Sequence, residues 1–492
     1  MNTALIIVIL YMLALMVVSW YSTRLVNRAT AKGESVNYLL AGQNLNWFLV
    51  AMMIAGLAIG GVSTVGVAEN AYTRGFSAGW YDLSWGIGAF IAGMFIVGRI
   101  RRCKFYTINE FIEKTCGRAA GLITVIVQIV VNFSIFCLQV IAGGSILTAL
   151  LPGTFTLTTA IIVSAIVFGI VSLIGGMWAA SLSNVVNVIV ILLGLTLGLF
   201  AIIKNFGGVA AIQARLPVTE PPTPWMHFTR GMGWGTIMAW TVTMFMQAYS
   251  GAAAMQTVVS SRDERSVKVG YIVAAVIMAP AGFIAAYMGI VAAGSFPGLA
   301  SAKLALPAVV GELNPWLAGF TLAGLWAADV STASACIMGM TSMLTKGLIV
   351  RYFRPNMSEK GQVLLSRIII AVAMFIAIPI SLTMGGIVAT LMRLLAMLAP
   401  MAIMMILVVY IPQHTRRSTG PAVMMVGCIY AALEISILPQ LILGGEPIYA
   451  VLVVSVITWI ATLIFDKRPA DYRILYEGEA GKMTMPEPAS AE

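Results

Sequence analysis

Charged side chains inside long apolar segments are the first candidates for chemistry in this sequence. Asp82, Asp329 and Arg393 each lie within a stretch of mostly apolar residues. An ionisable group is costly in an apolar medium, and such groups usually bind a substrate or ion, relay protons or pair with one another. The three residues are therefore candidate coupling residues. A structural pair between Asp329 and Arg393, or a place for Asp329 on the wall of a solvated cavity, is the alternative.

Two of the apolar segments contain residues that disfavour a continuous helix. Residues 55–61 read AGLAIGG, and residues 247–256 read QAYSGAAAMQ. A helix broken inside a membrane frees backbone carbonyls that can coordinate a cation. Small residues also favour close helix packing, which is the simpler explanation for either stretch alone. The two stretches lie five segments apart, and this spacing favours two inverted repeats of five helices, each opening with a broken helix.

Polar and aromatic residues flank both stretches and are candidates for a solute pocket. Apolar walls with a few polar groups suit a small organic ligand. Aromatic side chains can also hold a quaternary ammonium group, although each could equally be part of the packed core. The candidate pocket residues are Ser63, Thr64, Tyr81, Trp85, Gln139, Trp240, Gln247 and Ser250.

The elements that must position these residues are membrane-spanning helices. Of the 492 residues, 60% are hydrophobic and only 10% are charged, whereas soluble domains are about 25% charged. A spanning helix needs about 20 apolar residues, and thirteen such segments can be drawn. They lie near residues 3–22, 47–72, 79–98, 119–150, 157–176, 181–203, 233–258, 268–295, 315–345, 362–384, 387–411, 420–441 and 447–465.

Basic residues in the loops predict the orientation of the chain. With the N-terminus outside, 23 of the 29 Lys and Arg residues fall on the cytoplasmic side and five on the outer side. Cytoplasmic loops carry such an excess, so we expect an outside N-terminus and a cytoplasmic C-terminus in a bacterial-type inner membrane. The net charge of +10 has the same explanation, and no nucleic-acid partner is predicted.

A membrane enzyme is a rival functional class. The sequence has no His/Cys metal cluster, no nucleophile elbow and no phosphate-binding loop. We therefore predict that the protein is not an enzyme and has no cofactor.

Four stretches of the chain resemble the sodium:solute symporter family, which shares the LeuT-type fold. They are GGVSTVGVAENAYTRGFSAGWY after the first break, YTINEFIEKTCG after the third segment, GGMWAASLSN at the sixth and LWAADVSTASA in the ninth. The similarity covers residues 35–410. It implies an all-α membrane protein of about 13 transmembrane helices with a 5+5 inverted-repeat core.

This resemblance divides the chain into six parts. They are a first helix and inner loop (1–46), a first five-helix repeat (47–203), an outer loop (204–232), a second five-helix repeat (233–411), two peripheral helices (412–465) and a cytoplasmic tail (466–492).

The resemblance also implies one sodium site between the second and ninth segments. Its ligands at the matching positions are the carbonyls of Gly56, Ile59 and Ala328 and the hydroxyls of Ser331 and Thr332. Hard cations prefer oxygen ligands, which these groups supply. Apart from the resemblance, a Ser-Thr pair in a membrane helix more often bonds to backbone or to a neighbouring helix.

The chain departs from the family at one position. Many relatives carry an Asp in the sixth segment, which some use in a second sodium site, and this chain has Asn184 there. Ser334 matches a hydroxyl position near that site, but the carboxylate is missing. The departure favours a single coupled ion.

The expected function is sodium-coupled import of a small organic solute by alternating access. An amino acid, a betaine or a small carboxylate would suit the candidate pocket. The expected partners are the lipid bilayer, the solute and Na⁺ as the coupling ion. A proton-coupled carrier that uses Asp329 and a channel are the alternatives.

Overall fold

The computed structural model describes residues 44–470 apart from 104, 106, 152, 173–176, 221 and 437–445, together with residues 6, 7, 10, 13 and 17. The predicted first segment and the tail therefore lie largely outside the described residues, as does part of the GGMWAASLSN stretch. The described residues are mainly helical, and their only strand-like pairings are two isolated bridges, Leu45 with Ser261 and Arg416 with Pro469.

Nineteen α-helices can be numbered within the described residues. In chain order they are α1 (Trp47–Ala58), α2 (Val67–Arg74), α3 (Trp80–Ile91), α4 (Val97–Arg102), α5 (Ile108–Cys116), α6 (Arg118–Leu150), α7 (Leu157–Ser172), α8 (Met177–Asn205), α9 (Gly208–Ala214), α10 (Gly233–Ser250), α11 (Ala252–Ser260), α12 (Glu264–Ser295), α13 (Ala305–Gly311), α14 (Pro315–Ser342), α15 (Glu359–Thr383), α16 (Ile387–Leu395), α17 (Ala399–Tyr410), α18 (Thr419–Ser436) and α19 (Pro447–Phe465).

Short π-helical segments lengthen three of the spans. Val62–Gly66 leads into α2, Ala92–Ile96 joins α3 to α4, and Met343–Phe353 continues α14. The ninth span therefore ends eight residues later than the predicted residue 345, because its apolar sequence continues in this wider helical form. π-helical turns occur often at functional sites, and the first of these follows the predicted break at residues 55–61.

Eight helical stretches of the described residues are long and apolar enough to cross a membrane, and the bent pair around residue 60 would be a ninth. Each of the twelve segments predicted from residue 47 onward is mainly helical in its described residues, with interruptions at residues 59–60 and 251. The all-α membrane architecture is confirmed by this pattern. The number thirteen stays a prediction.

Apolar side chains point outward along the spans. On α15, Leu364, Ile368, Val372 and Phe375 repeat at helical spacing and are at least half exposed. A soluble protein seldom leaves so continuous an apolar stripe open to water. Lipid tails are the natural neighbours of this face.

Helix α12 supports both halves of the first broken span. A Cβ atom on Gly270 would lie 2.5 Å from Val50 on α1, and one on Gly289 would overlap the backbone of Ala68 on α2. Small residues allow such close approach between membrane helices. The two halves are thus fixed at different places on one long helix, which leaves the residues between them free of helical geometry.

Candidate functional site

The first break lies between α1 and the π-helical segment Val62–Gly66. The two halves of the span meet at an angle of 52°. Ile59 has φ −86° and ψ 85°, which ends the helix. The predicted interruption within residues 55–61 is therefore present.

Backbone pairing changes at this break. The N–H of Gly60 donates to the carbonyl of Ala58 at 3.1 Å. In a continuous helix it would pair with the carbonyl of Gly56, four residues earlier. The Gly56 carbonyl consequently lacks its helical donor.

A side chain from another helix takes the next N–H. Gly61 donates to Oε1 of Gln139 on α6 at 2.9 Å. Its helical acceptor would be Leu57, whose carbonyl therefore also loses its usual donor. The carbonyl of Ile59 accepts no backbone hydrogen bond from the described residues. Carbonyls freed in this way are suited to binding a cation.

The hydroxyls of α14 face this region. Thr332 donates its hydroxyl to the Gly56 carbonyl at 3.2 Å. Ser331 donates to the carbonyl of Ala328 in its own helix at 2.9 Å. A hydroxyl proton can rotate away, because the oxygen keeps lone pairs for a cation. The structure thus brings Thr332 to Gly56, and it places Ser331 and Ala328 within one turn of the same helix.

Asp329 lies on the same helix and is fully buried. A Cβ atom on Gly61 would be only 2.6 Å from Asp329 Oδ1, so the carboxylate is next to the break. Neither of its oxygens has a hydrogen-bond partner among the described residues. A buried carboxylate without a partner is costly, which makes it a candidate to interact with a cation.

The alternative in which Asp329 pairs with Arg393 is wrong. Arg393 is exposed near the end of α16, whereas Asp329 is fully buried. The structure does not bring the predicted coupling residue Arg393 together with Asp82 or Asp329.

Asp82 forms a second buried polar pair. Its Oδ2 accepts a hydrogen bond from the Ser63 hydroxyl at 2.8 Å. Its Oδ1 has no partner among the described residues. This pair joins α3 to the π-helical segment after the first break, and it links a candidate pocket residue to a candidate coupling residue by a hydrogen bond.

The aromatic pocket candidates are packed into the core. Tyr81 meets Trp240 edge-on with ring centroids 6.2 Å apart, and Trp85 is buried one turn further along α3. Ser84 and Thr241 share a hydrogen bond of 3.0 Å between the same two helices. Aromatic contact and hydrogen bonding thus join α3 to α10.

The other pocket candidates bond to nearby backbone. Thr64 donates to the Gly60 carbonyl at 3.0 Å, and Ser250 donates to the Met246 carbonyl at 2.7 Å. Gln247 differs from them, because its buried Oε1 has no partner in the described part of the chain.

The second break lies at Gly251, between α10 and α11. Gln128 of α6 spans it, because its Nε2 donates to the Ser250 carbonyl at 2.7 Å and its Oε1 accepts from the Ala252 N–H at 3.2 Å. Tyr271 of α12 donates to the Ala248 carbonyl at 2.8 Å. Three backbone groups at this break, the carbonyls of Ala248 and Ser250 and the N–H of Ala252, therefore have side-chain partners.

Gln128 and Tyr271 were not found from the sequence. One available signal was the amide of Gln128 in the apolar run of α6, eleven residues before Gln139.

The departure at Asn184 has a visible consequence. Its side chain lies beside Gly56, where a Cβ atom would come within 2.9 Å of the Asn184 Cγ, and its amide reaches the Met53 sulfur at 3.5 Å. Ser334 accepts a hydrogen bond from Ser172 at 3.0 Å.

The family model for the sodium:solute symporter family matches residues 38–429. The chain belongs to this family. Among its relatives, the sodium/proline symporter of Haemophilus influenzae is 26% identical over 70% of this chain and 71% of the relative. The high affinity choline transporter 1 of Homo sapiens is 22% identical over 74% of this chain and 65% of the relative.

A solved structure has the same fold. It is a Na⁺-coupled sialic acid symporter in a substrate-bound outward-open state, with a TM-score of 0.73, 17% identity, and coverage of 95% of this chain and 98% of that one. The expected LeuT-type fold is confirmed, and the protein is a sodium-coupled symporter of a small organic solute. The orientation of the termini, the six-part division and the individual site residues stay predictions.

Proposed function

We propose that this symporter couples one Na⁺, held at the first break, to import of an amino acid or a betaine. The sodium ligands would be the carbonyls of Gly56, Ile59 and Ala328 and the hydroxyls of Ser331 and Thr332. The observation that carries the proposal is the meeting of Thr332 with the Gly56 carbonyl at 3.2 Å, where that carbonyl has lost its helical donor.

The chemistry of these groups supports a small hard cation. Neutral carbonyl and hydroxyl oxygens are the ligands that hard cations prefer. The buried carboxyl group of Asp329 lies beside them and has no basic partner in the described part of the chain. In its ionised form it would add a negative charge that bound Na⁺ would compensate.

The solute class is narrowed by the position of Arg393. An arginine in the pocket would favour a solute whose only charge is a carboxylate, but the Arg393 side chain is exposed. The aromatic side chains of Tyr81, Trp85 and Trp240 suit a quaternary or protonated amine, which they could hold by cation–π attraction. Proline and choline, the solutes in the names of two relatives, carry such nitrogen groups.

Energy for import would come from the Na⁺ gradient. With the N-terminus outside, Na⁺ and the solute bind from the outer side and the two repeats rock to open the site inward. One positive charge crossing 100 mV releases about 2.3 kcal/mol. A tenfold Na⁺ gradient adds about 1.4 kcal/mol, so one ion supports accumulation of a neutral solute by several hundredfold.

A thermal-shift screen followed by uptake tests the proposal. The purified protein is heated with single amino acids, betaines and carboxylates, in NaCl and in choline chloride or KCl. We expect Na⁺ alone to raise the melting temperature and an amino acid or betaine to raise it further only in NaCl. The stabilising compound should then enter proteoliposomes by saturable uptake that follows the Na⁺ gradient.

Other outcomes would identify the alternatives. Uptake that follows a pH gradient and is indifferent to Na⁺ would support the proton-coupled carrier. A non-saturating flux at channel rates would support the channel. Stabilisation by carboxylates alone would contradict the proposed solute class.

A further inference from the structure

The long helix α6 contacts both breaks through side chains of one type. Gln128 and Gln139 are eleven positions apart within its unbroken length. An α-helix has about 3.6 residues per turn, so eleven positions are about three turns and place the two side chains on one face. Each lies where one of the two broken spans has lost its helical pairing.

At the first break, Gln139 competes with a carbonyl for one N–H. Its Oε1 accepts from Gly61, whose helical acceptor would be Leu57. If that bond were lost, the N–H of Gly61 would be left unpaired in a buried place, which is unfavourable. Its alternative acceptors are the Asp329 carboxyl group, whose Oδ1 would lie 2.6 Å from a Cβ atom on Gly61, and the Leu57 carbonyl of a continuous helix. Pairing with Leu57 would draw the Gly60 N–H back to Gly56, the carbonyl proposed for Na⁺.

At the second break, Gln128 uses both ends of its amide. Nε2 donates to Ser250 and Oε1 accepts from Ala252, so the amide takes the place of two missing backbone partners. Asn132, one turn along, donates to the Gln128 backbone carbonyl at 2.7 Å and to its Oε1 at 3.3 Å. Gln128 is therefore held in place by its own helix while it joins α10 to α11.

We propose that Gln128 and Gln139 are positioning residues that keep the two breaks open from a common helix. Gln139 acts on the cation, because it keeps the Gly56 carbonyl available. Gln128 acts on the shape of the second break, which contributes no proposed sodium ligand. This role replaces the predicted contact of Gln139 with solute, and it rests on the proposed function for the identity of the cation.

The test measures stabilisation by NaCl alone, so that no solute need be known. Gln139→Met keeps the length of the side chain but removes the acceptor. We expect the Na⁺ concentration at the midpoint of the thermal shift to rise about tenfold, as the loss of one buried hydrogen bond predicts. Gln128→Met should leave that midpoint within about twofold, because its bonds involve no proposed ligand.

A second measurement is specific to Gln128. Hydrogen–deuterium exchange of peptides covering residues 248–256 should be faster in Gln128→Met, because the Ala252 N–H loses its acceptor. Exchange of residues 56–64 should stay as in the wild type. Equal exchange of residues 248–256 in both proteins would overturn the role of Gln128.

The matched control is Thr124→Val on the same helix. Thr124 is fully buried, but its hydroxyl donates to the Ala120 carbonyl of α6 at 3.0 Å and so contacts neither break through that bond. If Gln139→Met fails to accumulate, Gln139→Asn, which withdraws the amide by one methylene, should raise the midpoint in the same direction.

Two results separate this inference from the proposed function. The first is that Na⁺ stabilises the wild type and that the Na⁺ midpoint is the same in the wild type, Gln139→Met and Thr124→Val. This result would overturn the role of Gln139 but not the sodium site. A wild type that NaCl does not stabilise would overturn the sodium site and the role of Gln139 together.

Discussion

The two broken helices of this symporter differ in what happens to the backbone groups that they free. At the second break, side chains of α6 and α12 take up the groups around Gly251. At the first, Gln139 takes one N–H while the carbonyls of Gly56 and Ile59 are left for hydroxyls or a cation. At the second break, protein side chains thus pair with carbonyls as well as with an N–H group. The first is an incomplete polar site with the buried acid Asp329 beside it.

The contrast between the two breaks indicates that a broken membrane helix is not by itself an ion site. Unpaired backbone groups are costly in an apolar interior, so each break needs partners. A break whose partners are protein side chains can act as a joint between two rigid halves. A break that lacks partners on the carbonyl side favours a ligand that supplies positive charge.

The largest expected effect comes from placing one methyl group at each break. Gly61→Ala would put a Cβ atom 2.2 Å from the Ala142 Cβ on α6, 2.6 Å from Asp329 Oδ1 and 2.9 Å from Gln139 Oε1. Overpacking costs about 1–3 kcal/mol, so we expect Na⁺-driven uptake to fall about tenfold to a hundredfold. For Gly251→Ala, the three atoms nearest to the new Cβ all belong to Gln247 and lie at 3.0 to 3.1 Å, and the backbone conformation is one that alanine adopts easily. If the uptake rates of Gly61→Ala and Gly251→Ala fell equally, the proposed difference between the two breaks would be wrong.

The next effect tests the buried carboxylate. Asp329→Asn removes the negative charge beside the first break, and we expect the Na⁺ concentration for half-maximal stabilisation to rise about fivefold to tenfold. Sodium titration of the melting temperature measures it. Glu434→Gln is the control, because Glu434 is also buried but bonds to Tyr430 on α18, outside the two repeats. An unchanged requirement in Asp329→Asn would show that the acid does not act on the cation.

The smallest effect is expected at the second break, where Tyr271 donates to a freed backbone carbonyl. Tyr271→Phe removes the donor to the Ala248 carbonyl, and we expect a loss of about 1 kcal/mol of stability, seen as a lower melting temperature. The Na⁺ midpoint should not move, since no sodium ligand is involved. Tyr249→Phe, which loses a longer bond of 3.3 Å to Ala402, should lower the melting temperature less. A shifted Na⁺ midpoint in Tyr271→Phe would mean that the breaks are not separable.

The sequence predicts the places of the breaks better than their partners. Glycine and small residues at 55–61 and 247–256 disfavour a helix locally, and both interruptions are present. The partners depend on contacts between residues far apart in the chain: Gln139 lies 78 positions from Gly61, and Gln128 lies 122 positions from Ser250. No local pattern specifies such pairings. For the same reason, the interior position of Arg393 in a span suggested a partner for Asp329 that the fold does not provide.

We propose that the carbonyl of Gly56 and the hydroxyl of Thr332 hold Na⁺ at the first break. The NaCl-dependent thermal shift of Thr332→Val, which keeps the side-chain shape and removes the hydroxyl, tests this site. Thr321→Val is the control, because Thr321 lies on the same helix and donates to the Gly194 carbonyl of α8 at 3.1 Å. We predict that Thr332→Val loses the stabilisation by Na⁺ and that Thr321→Val keeps it. Equal stabilisation of both variants by Na⁺ would mean that Thr332 does not bind the ion.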